Sequence, residues 1–334
     1  MSLTQLLIQM AEIQTPNPSL HSPNGFLMLC NIGRVGDTIL RNSILDSAVR
    51  TYATVDYICG LHNADCVRSD SRLNRVTICQ NSPAGFMGVL KAALSRRYDA
   101  FIDLKDHCSS TSLIIARLFR SSIKTGCNGK HLRPFQRDVQ GLQVPHAHLV
   151  ERMRRIGQLA GLQAGEYKPS LILAPGSVAW FRSNHAWNRP FILLNLSATH
   201  ANRLWPVPSW ARYVRGCGLA GQTIFINGLP RDQEKVHQLC RELPGAVALQ
   251  PKCFMDVAAA VADARLVLTV DTGVVHACSA LDKPVVAFYC ANKDVIGNAP
   301  LSTRRLIIQP QTGRFVPDID PEQAIAETLR QGLP

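Results

Sequence analysis

Long apolar runs are missing from this 334-residue chain. No stretch reaches the ~20 residues needed to cross a bilayer as a helix, so an integral membrane anchor is not expected. The first 24 residues, "MSLTQLLIQMAEIQTPNPSLHSPN", have no basic leader and no cleavable signal pattern, and read as an N-terminal tail. Paired cysteine spacings are missing too. There are eleven cysteines, but no two stand as C-x-x-C, and no His/Cys ladder suggests zinc. Most lie within apolar runs, where a free thiol behaves as a small hydrophobe, and reduced thiols fit a cytoplasmic protein. Aromatic residues are sparse at 6%, with no interleaved aromatic and basic platform of the kind that binds single-stranded nucleic acid. Acids are also in short supply: 24 against 36 Lys and Arg, a formal charge of +12.

That excess is uneven. Between Lys91 and Asp138 ten cations face four acids, half of the chain's surplus in about one seventh of its length. Such a segment attracts anions: nucleic acid, acidic headgroups or a phosphorylated saccharide. Lys105, Arg117, Arg120, Lys124, Lys130, Arg133 and Arg137 are its candidates for an anionic ligand. Arg34 is a further one, and "CNGKHLRPFQRD" reads as a mobile basic loop.

Short apolar runs alternate with helix-period segments, the pattern of a parallel α/β sheet. In the first half, strands are expected at 25–31, 54–59, 75–79, 100–104 and 122–125. Helices are expected at 37–52, 85–97, 110–120 and 146–162. The Pro-, Gly-, Ser- and Asn-rich stretch from 161 to 190 breaks the rhythm and marks a boundary. The expected layout is a Rossmann-like domain at 25–165, a linker at 166–190 and a second Rossmann-like domain at 191–334. The last helix is free to pack back on the first domain. In the second half strands are expected at 191–195, 222–227, 247–249, 266–270, 285–289 and 305–309, with helices at 208–219, 231–242, 254–262, 273–281 and 321–330. Open sheets of this kind bind ligands outside the carboxyl ends of their strands, so function is expected in the loops there.

Three loops carry chemistry. In "CNIGRVGDTIL" Gly33 and Gly36 permit positive φ and close backbone approach. Asp37 falls at or beside a helix N-cap, where a carboxylate is a preferred cap. A dinucleotide site would need G-x-G-x-x-G, which is incomplete here, and a carboxylate would repel its pyrophosphate. In "LNLSATHANRLWPVPSW" the hydroxyls of Ser197 and Thr199 and the guanidinium of Arg203 either form a phosphate cradle or belong to a solvated loop that Trp205 anchors by packing. In "LVLTVDTGVVHACSALDKPVVAFYC" a strand ends at Asp271, and Thr272 and Gly273 open a helix whose amides and dipole favour an anion. His276 either donates to that anion or packs within the helix. The D-x-D triplet Asp318–Asp320 reads as a helix cap rather than a metal site.

These blocks resemble one family. "IGRVGDTIL" is similar to the R-x-x-G-D glycine loop of the ADP-heptose lipopolysaccharide heptosyltransferases, glycosyltransferase family 9. "NRLWP" resembles that family's K-x-W-P element, "YDAFIDLKDHCSSTSLIIARLFRSSIKTG" its Y-D-x-x-I-D-L-Q strand and helix, and "VDTGVVHACSALDKPVVAFY" its D-T-G-x-x-H signature. The resemblance runs in order from about residue 25 to 289. It implies a GT-B fold, with the acceptor on the first domain, the nucleotide-sugar on the second and a catalytic cleft between them. It implies inverting transfer of a heptose from ADP-heptose to a phosphorylated, lipid-linked lipopolysaccharide core, with no metal cofactor and no nucleic-acid partner. It places the protein in the cytoplasm, peripheral at the inner membrane. Asp37 matches the general base. Arg203 stands where the family has a lysine on the donor's diphosphate. Thr272 and Gly273 match the backbone cradle, with Asp271 and His276 beside it; the adenine is expected near Gly228 and the loop 250–255. Arg203, "NLSATH" and the tail depart from the family pattern. Rival readings are a nucleotide-sugar epimerase of the same fold and a non-catalytic anion-binding or nucleic-acid-binding protein.

Overall fold

The computed structural model describes residues 25–142, 147–184, 190–291 and 295–332. The N-terminal tail and the start of the helix expected from residue 146 lie outside the described residues. The chain divides into two compact units, Met1–Ser170 and Leu171–Pro334.

Each unit is a six-stranded sheet in which every pairing is parallel. The first contains β1 (Phe26–Asn31), β2 (Thr54–Gly60), β3 (Arg75–Cys79), β4 (Tyr98–Asp103), β5 (Ser121–Gly126) and β6 (Arg137–Asp138), in the order β3-β2-β1-β4-β5-β6. The second contains β7 (Ile192–Asn195), β8 (Ile224–Asn227), β9 (Ala246–Ala248), β10 (Leu266–Val270), β11 (Val285–Phe288) and β12 (Arg305–Ile308), in the order β12-β11-β10-β7-β8-β9. Read from β9, that is the same order as in the first unit. Strands such as "FLMLCN" and "LVLTV" are near-continuous apolar runs because helices cover both faces of a parallel sheet.

In the first unit successive β1 residues point to opposite faces. Leu27 and Leu29 pack with Leu40, Ile44, Met153 and Ile156. Met28 and Cys30 pack with Val89, Phe101, Ala116 and Phe119 beneath the helices Pro83–Ser95 and Ser110–Leu118. In the second unit Ile192 and Leu194 share a cluster with Trp205, Trp210, Tyr213 and Phe288. The Trp205 and Phe288 ring centroids are 4.6 Å apart, and Trp205 Nε1 donates to Ile319 O at 3.0 Å, so Trp205 is an anchor.

Three expectations change. The segment 166–190 is not only a linker. Residues Pro175–Asn184 form a helix whose Phe181 is buried against Phe191 and Phe225, at 5.6 and 5.9 Å between ring centroids. Its apolar positions are hidden among Gly, Ser and Asn, which is why composition alone reads as a tether. The last helix, Pro321–Arg330, packs within its own unit: Thr328 and Tyr213 share a hydrogen bond at 2.8 Å, and an added Cβ at Gly216 would fall 2.3 Å from Ile325 Cδ1. The helix expected at 37–52 starts earlier, at Val35. A 3-10 turn, Asn42–Ile44, divides it into Val35–Arg41 and Leu45–Thr51. Asn42 is buried there and accepts a hydrogen bond from Tyr57 OH at 2.8 Å.

Candidate active site

In an open α/β sheet the strand order reverses direction at one point, and ligands bind outside the carboxyl ends of the strands there. In the first unit that point lies between β1 and β4, and in the second between β7 and β10. Asp37 follows β1. Arg203 follows β7, and Asp271, Thr272 and Gly273 follow β10.

At the first switch point, helix Val35–Arg41 begins directly after β1. Its N-cap is Arg34, with extended backbone and no side-chain cap bond. Asp37 is therefore the third helical residue and not the cap. Its half-buried carboxylate makes no hydrogen bond or ion pair among the described residues. The helix dipole stabilises a carboxylate in this first turn. Neither Gly33 nor Gly36 takes positive φ. Gly36 is helical, and a Cβ at Gly33 would sit 3.0 Å from Arg41 Nη1, a tight contact with that buried guanidinium.

A buried polar network fixes this loop. Asn31 Nδ2 donates to Tyr57 OH at 2.9 Å and to Thr38 Oγ1 at 3.3 Å. Asn63 Nδ2 donates to Thr38 Oγ1 at 2.7 Å and to Asn31 O at 2.8 Å. Arg41, only 4% exposed, donates to Asn31 Oδ1 at 3.3 Å and lies 3.5 Å from Asp106. Asp106 also takes Arg152 at 2.6 Å, and these partners outweigh the cost of burial and hold its carboxyl below its usual range. Behind Asp106, burial pushes Asp103 up to about 6, although Ser112, Lys105 and Arg41 all favour its charged form.

The basic segment does not converge on this point as a whole. Lys105 does lie beyond the carboxyl end of β4, buried, with Nζ donating to Ser109 Oγ at 2.9 Å. Arg34 is exposed at the helix start. Lys130 and Arg133 are exposed on the loop after β5. That loop is pinned rather than loose: Asn128 Nδ2 donates to Phe135 O at 3.0 Å and Asp138 Oδ2 at 3.1 Å, and its Oδ1 accepts from Phe135 N. Four candidates have other surroundings. Arg120 precedes β5, at the opposite, amino end of the sheet, where its carbonyl accepts from Tyr98 N at 2.8 Å. Arg137 Nη1 donates to Leu159 O at 2.8 Å and so caps the end of helix Leu149–Leu159. Lys124 is buried beside Phe101 in the sheet, and burial, with Arg117 adding to it, pushes its ammonium down to about 8. Arg117 is half-buried on helix Ser110–Leu118. A lysine within a parallel strand looks like any other cation in sequence, so charge counting cannot separate these four from the rest.

At the second switch point the structure brings Arg203 and Asp271 together. Arg203 Nη1 lies 3.2 Å from Asp271 Oδ2 and 3.4 Å from Asp271 O. Thr272 is the N-cap of helix Gly273–Ala280, its Oγ1 accepting from Val274 N at 3.3 Å. Asn195, the last residue of β7, ties the two loops: its Nδ2 donates to Thr269 Oγ1 at 3.0 Å and Thr272 Oγ1 at 3.3 Å, while its Oδ1 accepts from Asn227 at 2.7 Å. Thr199 is exposed, with its carbonyl accepting from Arg231. His276 is buried within the helix.

Ser197 is spent elsewhere. It is 3% exposed, donates to Asp232 Oδ2 at 2.8 Å and accepts from Leu229 N at 2.8 Å. It therefore shapes the loop and is not free to cradle a phosphate. Gly228 is required by packing, since a Cβ there would fall 2.5 Å from Val236 Cγ2. In the loop 250–255, Lys252 N and Cys253 N both donate to Asp256. Asp318 and Asp320 are caps: the first accepts from Arg314 N and Phe315 N, the second from Glu322 N. Among the described residues no group of three or more His, Cys, Asp or Glu is placed to hold a metal ion.

Sequence reading missed the amides that end strands. Asn31, Asn195 and Asn227 each close an apolar strand; Asn31 and Asn195 hold the loop that follows, and Asn227 braces Asn195. A polar amide at that position, repeated three times, is the signal that could have found them.

The family model of glycosyltransferase family 9 (heptosyltransferase) matches residues 87–314. Lipopolysaccharide heptosyltransferase 1 of Salmonella typhimurium is 26% identical over 208 residues, 60% of this chain and 63% of that protein. The same-named protein of an Escherichia coli strain is 26% identical over 205 residues, 60% of this chain and 61% of that protein. The chain thus spans less than two thirds of the length of these curated relatives. Among solved structures, a family 9 glycosyl transferase from Veillonella parvula superposes with a TM-score of 0.81 at 15% identity, covering 93% of this chain and 98% of that one. E. coli heptosyltransferase WaaC, solved with ADP-2-deoxy-2-fluoro heptose, gives 0.72 at 18% identity, covering 92% and 99%. The fold class is therefore α/β of the GT-B type, and the chain belongs to glycosyltransferase family 9, the heptosyltransferase family.

Proposed function

We propose that this protein is an inverting glycosyltransferase that moves a heptose from ADP-heptose to a hydroxyl of a phosphorylated lipopolysaccharide core. Family membership supports heptosyl transfer. The names of the curated relatives support the acceptor class, and the ligand held by WaaC supports the donor. The observation that carries the reading is the second switch point: it lies within the matched residues and presents a guanidinium beside the open end of a helix. Asp37 lies outside that match, so its role rests on its own geometry and on the resemblance of its loop.

In this reading Asp37 takes the proton of the acceptor hydroxyl as that oxygen attacks the anomeric carbon. The bond from that carbon to the diphosphate oxygen breaks, and its electrons leave with ADP. Arg203 and the amides opening helix Gly273–Ala280 stabilise the charge that develops on the leaving oxygen. To do so, Arg203 shares or exchanges its Asp271 partner for a phosphate oxygen. The scheme uses no divalent metal. Arg34, Lys105, Lys130 and Arg133 are the cations kept for the acceptor's phosphates. A lipid-linked acceptor puts the reaction at the cytoplasmic face of an inner membrane, with the protein held there peripherally; no helix among the described residues is long and apolar enough to cross a membrane.

The test is release of ADP from ADP-heptose in the presence of heptose-free lipopolysaccharide core, with the anomeric configuration of the product read by NMR. Release that requires the acceptor and gives the inverted anomer is expected. Release without acceptor would favour an epimerase-like or hydrolytic reaction. No release, together with no rise in melting temperature on adding ADP, would sink the proposal.

A further inference from the structure

Helix Pro83–Ser95 has a built inner face and an unexplained outer one. Ser82 caps it, its Oγ accepting from Gly85 N at 3.1 Å, and Val89, Ala92 and Ala93 pack on the sheet. On the outside Met87 is 47% and Leu94 67% exposed, seven residues apart and thus on one stripe, with Lys91 between them. Single exposed apolar residues are ordinary. Here the charge makes the difference. From Ser71 to Tyr98 the chain has no Asp or Glu, yet it carries Arg72, Arg75, Lys91, Arg96 and Arg97.

Three of these cations are engaged locally. Arg72 pairs with Asp70, Arg75 donates to Ser95 Oγ at 3.0 Å, and Arg96 stacks 4.6 Å above the Phe26 ring. Lys91 and Arg97 are exposed and make no hydrogen bond or ion pair among the described residues. An apolar stripe flanked by cations without counter-ions is the arrangement of a helix that lies in a bilayer interface, its methylenes among acyl chains and its charges at anionic headgroups. A second copy of the chain is a poor occupant, because a twofold contact would set Lys91 and Arg97 against themselves.

We propose that the outer face of helix Pro83–Ser95 docks on an anionic phospholipid surface. This gives a location to the membrane contact proposed above and rests on that reading. It is separate from Arg34, Lys105, Lys130 and Arg133, so the lipid surface and the acceptor's phosphates engage different cations.

The full chain is sedimented with vesicles of phosphatidylglycerol and phosphatidylethanolamine, and with phosphatidylcholine vesicles as the neutral case. Wild type is expected to bind the anionic vesicles, to leave the neutral ones in solution and to be released by salt. The pairs Met87→Glu with Leu94→Glu and Lys91→Glu with Arg97→Glu are each expected to lower partitioning at least about tenfold. Both pairs are expected to keep the thermal stabilisation by ADP, which shows that they fold. Failure of wild type to bind anionic vesicles overturns the inference, as does either pair partitioning like wild type. So does light scattering that shows a wild-type dimer dissolved by these changes. ADP release in detergent reads the transfer proposal independently: it can stand while the docking face falls.

Discussion

The two units share a strand order and differ in what they place at its turning point. β1 and β7 are equivalent strands, and both end in a buried asparagine, Asn31 and Asn195, whose side chain holds the next loop. After Asn31 the chain enters a helix within four residues and presents a carboxylate, Asp37, without a partner among the described residues. After Asn195 it makes a longer loop and presents a guanidinium, Arg203, already paired with Asp271. The same scaffold thus offers an acid on one unit and a cation with helix amides on the other. In the proposed scheme the difference is useful: a proton acceptor must be free to work, whereas an anion-binding group can wait in an ion pair and exchange it. The supporting cations differ as well: the first unit buries Lys124 with no ion pair among the described residues, while Arg203 pairs with Asp271.

The sharpest way to break the contrast is to remove the acid. Asp37→Asn is expected to lower turnover by about 10²–10⁴ while ADP still raises the melting temperature. Undiminished turnover would end the general-base assignment. Next is the buried lysine. Its folded pKa of about 8 lies below the ordinary lysine value of about 10.4, so the folded state is penalised once both states are charged. That penalty is absent above about pH 10.4 and sets in as pH falls toward 8. Lys124→Met is therefore expected to stabilise the protein at pH 7, by up to about 3 kcal/mol, with the gain vanishing near pH 11 in chemical denaturation. A higher KM for the acceptor in this variant would instead return Lys124 to the acceptor site.

Arg203→Ala addresses the second unit. Loss of a charge-assisted contact is expected to weaken ADP binding by about 10- to 100-fold in calorimetry. An unchanged affinity would leave Arg203 as no more than the ion-pair partner of Asp271. The smallest effect is expected from Ser197→Ala, which removes its bonds to Asp232 and from Leu229. A loss of about 1–2 kcal/mol in stability, with ADP affinity nearly unchanged, distinguishes a loop-shaping hydroxyl from a phosphate ligand.

The legible part of the fold was the part written in hydrophobic pattern. The runs at Arg75–Cys79, Leu266–Val270 and Pro321–Arg330 are elements with the expected bounds, because short β-branched, largely apolar runs and a capped amphipathic helix each have one local solution. Short elements escaped. The turn of helix Asp65–Arg68 and the two-residue β6 are too brief to carry a period. The glycine loop, Arg203 and the D-T-G block could be picked out because turn chemistry and residue type are local properties. Which hydroxyl was free was not local. Ser197 and Thr199 look alike in sequence, but Ser197 meets Asp232, thirty-five residues away, and Thr199 does not.

The amino-acid sequence by itself determined two parallel α/β units, the acid and the cation after their first strands, and the helix start at Thr272. These follow from periodicity and short-range steric and dipole effects, which act over a few residues. Only the tertiary structure decided that Lys124 is buried, that Arg120 and Arg137 lie away from the first switch point, and that Asn31 and Asn195 brace the loops. Burial and partnership depend on strands distant in sequence coming side by side, and on the loss of water around a charge once they do.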